Sequence, residues 1–398
     1  MTGSDATGRG RAAWITGAGI VSALGAGRDA HLAALADPAR IAAGRDSTTF
    51  APWHAHPFAS VDLDRFMPRR ADQRAMGVYM QHGVHAAGLA LEEAGVRGDP
   101  ALLARTHLLA AASGGERDLA LDEAVLGESL AADDPSTLIA RRLTDGLRPT
   151  AFLAQLPNMF AGNISIVLDV AGSSRTFMGE EAAGVDALRM AWRRVEAGQG
   201  DLFLVAAAVN SARWDALLTY RSGGRLLEGP WRDLWDRPDA GVTGGSLAAA
   251  LVIEAADHAA TRGARPLARL DRVAQGWSDR SPGAAARSAG AAWPEEPVPL
   301  VMSAASGAGP ATGEERAFLA ALPDRPAVRG LAAAWGHGAE AAFPAAVALA
   351  AWSVATGFVP PPLADDGIEA PFAGSPARVA VTGWGARRGE GMALVSAP

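Results

Sequence analysis

The chain has 398 residues, 49% of them hydrophobic and 20% charged, with a formal net charge of -7. That balance describes a globular protein long enough for two core-sized units, and its acidity, with no Lys/Arg block, argues against a general nucleic-acid binder. Cysteine is absent, which excludes disulfides, cysteine metal sites, iron–sulfur clusters and any thiol nucleophile. Residues 1–11 are polar and glycine-rich, so no secretory signal is expected. No uninterrupted apolar run reaches the roughly 18 residues of a membrane helix, and a cytoplasmic protein is expected.

Ala12–Val21 predicts a buried strand ending in a glycine turn. The glycines of G-A-G-I-V-S-A-L-G are misplaced for a dinucleotide fingerprint, and no acidic residue follows at the required distance. Gly25–Leu35 predicts a short helix, Ala42–Phe66 is irregular, and Arg69–Glu93 is helical with a basic start. His54 and His56, between Pro52 and Pro57, are expected as solvated loop residues. Thr106–Ala112 predicts a strand, Leu119–Leu147 helical pieces with acidic breaks, and Leu156–Asn163 a loop leading into an apolar strand, Ile164–Val170. Asp201–Val209 and Ser246–Glu254 are further buried strands, separated by the loop Gly229–Gly245. After a composition break at Ala255–Arg265 the plan restarts. Pro266–Gly276 is a strand, Ser278–Pro297 a loop, Val298–Ala304 a strand, Gly313–Leu322 a helix and Ala327–Ala332 a strand. Ala339–Thr356 is an Ala-rich apolar helix, and Ala377–Thr382 and Met392–Val395 close the chain as strands.

Strands alternating with helices predict βα units on buried sheets. The repeated plan predicts two similar α/β halves, residues 1–255 and 256–398, with helices sandwiched between their sheets. The organising stretch is Gly172–Gly184, G-S-S-R-T-F-M-G-E-E-A-A-G, followed by helical periodicity at Val185, Leu188, Ala191, Trp192 and Val195. A strand, a small-residue turn and a helix lift a side chain to a helix N-terminus, whose positive end suits an anion. Here that turn offers Glu180 and Glu181.

These segments resemble, along nearly the whole chain, the β-ketoacyl synthases of the thiolase fold. Trp14–Gly25, W-I-T-G-A-G-I-V-S-A-L-G, is similar to the family's opening strand and turn. Asp62–Val96 resembles its first long helix region, and Asn163–Gly184 its nucleophile segment. Gly336-His337 with Ala341-Ala342 resembles G-H-x-x-G-A-A-G, and Val381–Val395 its closing glycine-rich loop and strand. The resemblance implies a five-layer αβαβα sandwich. Active members hold the acyl chain on a cysteine and use two histidines and a lysine, so the departures matter. Aligning T-A-C-A-S-G on Gly179–Gly184 puts Glu181 at the cysteine. Ser303–Pro310 resembles N-A-H-G-T-x-T-P and puts Ala305 at the first histidine. The lysine falls at Ala332, and His337 alone survives. No catalytic residue is assigned on this basis, since a carboxylate is not a stable acyl carrier.

The family offers a known use for such a subunit. The chain-length factor of type II polyketide systems is a pseudoenzyme that heterodimerises with an active ketosynthase and shapes its tunnel. Its thiol position usually holds Gln, and a Glu there resembles the subunits of aryl-polyene systems. That likeness implies a ketosynthase partner and an acyl carrier protein bearing phosphopantetheine, with no resident cofactor or metal. Phe177, Met178, Glu340 and Phe343 are the candidates for tunnel or interface, and Arg69, Arg70 and Arg74 for carrier-protein docking. Glu181 then reads either as a carboxylate accepting N–H bonds at the helix start, or as an acid–base partner of His337 in a malonyl-carrier-protein decarboxylase. A homodimeric acyl-binding scaffold is a third alternative, needing free space beside Glu340 and Phe343.

Overall fold

Strands whose residues are apolar on both faces must be covered on both sides, and that requirement sets the layers here. The computed structural model describes residues 10–147, 151–237, 239–279, 281–365 and 367–398, without the side chains of 151 and 152. Its main strands are β1 (Ala13–Ser22), β2 (His107–Ala112), β3 (Ser174–Phe177), β4 (Leu202–Asn210) and β5 (Gly244–Ala255), then β6 (Ala268–Gly276), β7 (Leu300–Ser303), β8 (Ala327–Gly330), β9 (Arg378–Trp384) and β10 (Glu390–Ser396). The spatial order is β3-β2-β4-β5-β1 in the first five and β8-β7-β9-β10-β6 in the second five. The same order therefore recurs five strands later. In each set the second strand runs parallel to the third and fourth, and the remaining pairs are antiparallel. The two sets join where Ala13–Ile15 of β1 pairs with Ala268–Leu270 of β6.

The three largest apolar clusters among the described residues fill the spaces around these sheets. The central one contains α1 (Glu181–Glu196) and α2 (Ala339–Thr356), packed against residues of both sets of strands. An outer cluster on the first set gathers helices Val78–Glu93 and Asn158–Leu168. A second outer cluster holds Leu319, Val301, Val328 and Ala380. The result is the α/β five-layer arrangement expected from the sequence. α2 is long and apolar enough by composition to cross a membrane, but its residues from Ala339 to Ser353 are all buried in the core. A helix apolar all round is what a position between two sheets demands.

Several local expectations fail for physical reasons. Ile164–Val170 is not a strand. Phe160, Ala161, Ile164 and Leu168 form one buried helical face of Asn158–Leu168, and the expected loop Leu156–Asn163 begins that helix. The strand entering the glutamate turn is Ser174–Phe177, polar and half exposed at the sheet rim, so no apolar run marks it. The loop Ser278–Pro297 contains a helix, Ala284–Ala292, buried through Ala285 and Ala289. Arg69–Glu93 breaks at Met76-Gly77 into two helices, because Glu116 accepts the Val78 and Tyr79 N–H groups and starts the second helix there. Residues 331–335 leave the β8 strand and form a helical turn, Ala332–Trp335. His56 is fully buried rather than solvated, paired in the short strand Ala55–His56 with the start of β5 and edge-on to Trp231 at 5.9 Å. Burial holds its imidazole down at about 3.

Candidate functional site

The site is set by one close helix approach. Gly184, on the first turn of α1, faces the first turn of α2, where a Cβ would run into the Glu340 carbonyl oxygen and lie 2.8 Å from Pro344 Cδ. Pro344 has no N–H to give its own helix, so that carbonyl lacks its usual intrahelical partner. The contact brings the N-termini of α1 and α2 together. Gly336, at φ 72°, turns the chain so that His337 enters from the other side, and a Cβ at Gly336 would stand 2.8 Å from both Gly245 Cα and His56 Nδ1.

At this junction the Glu181 carboxylate meets the His337 ring, with Oε1 3.1 Å from Nε2. Glu181 is 6% exposed and His337 2%. The Ala386 N–H also donates to Glu181 Oε1 at 3.2 Å, from the loop between β9 and β10. Burial works to raise the Glu181 carboxyl, but the His337 hydrogen bond and charge, with the backbone N–H groups of Glu181 and Ala386, hold it below its ordinary range. The Tyr220 ring lies edge-on to His337 at 6.1 Å. The neighbouring Glu340 is 1% exposed, and burial first, then the nearby Glu181 and Glu180, push its carboxyl up to about 7. One residue before the pair, Glu180 sits at φ 56° and ψ −139°, after Gly179 at φ 142°. For a side-chain-bearing residue that conformation costs about 1–3 kcal/mol. Glu180→Gly is expected to raise stability by about 1 kcal/mol, read as an upward shift of the urea midpoint. A loss would mean that the Glu180 carboxylate, 3.7 Å from Arg387, holds the turn.

The other sequence candidates lie elsewhere. Ala305 and Ala332 pack in the outer apolar cluster with Val301 and Val328. Phe343 is 1% exposed and wedged beside Gly383 and Gly391 in the core. Phe177 is half-buried against the central core, and Met178 is 65% exposed at the sheet rim. Arg69, Arg70 and Arg74 are exposed around the helix Arg70–Ala75, where Arg70 meets Asp64 at 3.2 Å. Among the described residues no three His, Asp or Glu side chains converge to hold a metal ion. Tyr220 and the Glu315 network were not legible in the sequence. Glu315 accepts from Ser303 Oγ, Thr382 Oγ1 and the Trp384 N–H, bracing β7 against β9 from the helix Ala311–Ala320 that follows β7.

A carboxylate hydrogen-bonded to a histidine can hold or pass a proton, but it offers no sulfur for a thioester. Around it stands the architecture of the thiolase fold. Residues 16–259 match the model of the β-ketoacyl synthase N-terminal domain, and the chain belongs to the β-ketoacyl synthase family. The structure is similar to a β-ketoacyl synthase from Burkholderia phymatum STM815, with TM-score 0.78 and 20% identity over 98% of this chain and 100% of that one. It is similar to the ishigamide ketosynthase/chain length factor, with TM-score 0.79 and 19% identity over 98% and 100% of the two chains. A third similar structure is a type II polyketide synthase acyl-carrier protein in complex with its ketosynthase bound to the hexaketide, with TM-score 0.72 and 14% identity over 98% and 100%. A comparison with curated proteins finds no match.

Proposed function

We propose that the chain is the non-catalytic member of a ketosynthase pair, a chain-length factor of a type II polyketide or aryl-polyene-like system. The observation that carries this reading is Glu181, which stands where the resemblance puts the thiol and is held by His337 in a chain with no cysteine. Two further features support it. Among the described residues β3 is a rim strand paired on one side only, with Met178 exposed directly after it, which suits strand addition by a second subunit. The similar structures include one described as a ketosynthase/chain length factor. In this reading Met178 and Phe177 belong to the interface, and the exposed Arg69, Arg70 and Arg74 offer a basic face to an acidic carrier protein. Co-expression with a cysteine-bearing ketosynthase from the native host should give one stable 1:1 complex by size-exclusion chromatography with mass measurement. A soluble homodimer with no affinity for that ketosynthase would overturn the reading.

The 3.1 Å Glu181–His337 contact favours a second reading, an acid–base pair that decarboxylates malonyl-carrier protein. It requires carbon dioxide release by the isolated chain that His337→Ala abolishes.

A further inference from the structure

His337 belongs to neither the turn Ala332–Trp335 before it nor α2 after it. Its N–H donates to the Thr243 carbonyl at 2.8 Å, and its carbonyl accepts from the Gly245 N–H at 3.1 Å. Both backbone groups of one residue are thus held by the start of β5, as a single parallel bridge to Gly244. A lone bridge has no neighbouring rungs to share the load, so the direction of the His337 ring follows the segment Val242–Gly245. The same segment anchors the chain that follows Tyr220, whose ring lies beside His337. There the Leu227 N–H donates to the Val242 carbonyl and the Val242 N–H to the Arg225 carbonyl, each at 2.8 Å.

Arg237 ties this segment down. Its Nη1 donates to the Gly241 carbonyl at 3.0 Å and lies 3.4 Å from Thr243 Oγ1, while its Nε donates to the Arg232 carbonyl at 3.0 Å. One guanidinium therefore bridges the two arms of the loop Gly229–Gly245. It also lies over the Trp231 ring at 4.7 Å, and Arg45 lies over the same ring at 4.0 Å. Trp231 in turn meets His54 at 5.7 Å and His56 at 5.9 Å, and His56 pairs with Gly245. Burial brings the Arg237 guanidinium down to about 10, with Asp233 opposing the shift and Arg45 adding to it, so it stays charged at neutral pH. Its Nη2 is buried without a hydrogen-bond partner. A buried charge so placed is a poor source of stability, whereas a rigid planar fork fixes geometry well.

We propose that Arg237 is a positioning residue for the Glu181–His337 pair: its fork fixes Gly241 and Thr243, and through Thr243 the backbone of His337, so that Nε2 meets the Glu181 carboxylate. A lysine at this position keeps the charge but lacks the planar fork that spans the Arg232 and Gly241 carbonyls. The proposal requires only the Glu181–His337 contact, and it stands under either reading of the function.

Proton–nitrogen NMR of the full chain with labelled histidine, at pH 7, tests it. The Nε2 proton of His337, assigned by its loss in His337→Gln, should lie far downfield while it donates to the Glu181 carboxylate. Its upfield move in Glu181→Gln sets the scale. Arg237→Gln should move it by half that shift or more, or erase it through exchange with water. Arg237→Lys should move it in the same direction, and decides the matter if Arg237→Gln fails to fold. Leu91→Ala, in the outer apolar cluster of the first set of strands, weakens the fold without touching the loop and should leave the signal in place. A wild-type signal in the folded Arg237 variants overturns the proposal and leaves Arg237 as a loop staple alone. An equal shift in Leu91→Ala overturns it by tracing the effect to lost stability.

Discussion

His337→Ala is expected to lower the stability of the chain by about 3–5 kcal/mol, the cost of leaving one member of a buried pair alone. Glu181 would keep the Ala386 N–H but lose the imidazole that offsets its burial. Glu181→Gln in the same background should recover part of the loss, since a neutral amide has no charge to desolvate. The pH dependence separates this explanation from a simple packing defect. In the wild type the Glu181 carboxyl is lowered in the folded state, so its contribution is present above the unfolded value near 4.5 and is lost as pH falls through the folded value. In His337→Ala, burial raises the folded value instead. Its contribution is then full below about pH 4.5 and is lost as pH rises through the raised value. The stability gap between the two proteins should therefore widen from pH 4 to pH 7 in urea denaturation. A gap constant with pH would show that the carboxylate is not its source.

Gly184→Val is expected to be comparably severe, costing about 3 kcal/mol or more. The added atoms would meet the Glu340 carbonyl oxygen and the Pro344 ring, which belong to a helix buried between two sheets and have nowhere to retreat. α1 would have to lift away, which would also draw Glu181 off His337. Gly162→Ala is the control. A Cβ there meets nothing within 4 Å and the residue is helical, so that substitution should stabilise the chain by about 0.5–1 kcal/mol. Midpoints of urea unfolding measure both. A loss below about 1 kcal/mol for Gly184→Val would mean that the two helices can part without consequence.

The parts of the fold legible in the sequence are those whose signal is local. β4, β5 and β9 are apolar runs, and α2 has the bounds its composition suggests, Ala339–Thr356. β3 was hidden because a rim strand need not be apolar, while the helix before it carries the hydrophobicity instead. The start of the helix Val78–Glu93 was hidden because its cap, Glu116, arrives from another segment. At the site, the position of Glu181 at a helix start is a property of the turn and could be read from it. The contact with His337 could be raised from the sequence only as one option, since it depends on how closely two helices 150 residues apart can pack at Gly184. Tyr220 could not be read, because its ring meets His337 only once segments far apart in the chain are folded together.

The two rims of the strand array are unlike. At the β8 rim, Arg329 donates to the carbonyls of Pro360 and Ala370, and Glu369 accepts the Gly330 N–H, so the chain seals its own border. At the β3 rim, Ser174 and Arg175 are exposed, and among the described residues they pair with β2 alone. A molecule with one adhesive border can join a single neighbour there, and the junction uses up the border of both if the neighbour is built alike. In the proposed pairing, strand addition at the β3 rim would therefore stop at two chains, since the bonds of Arg329 and Glu369 cover the β8 border.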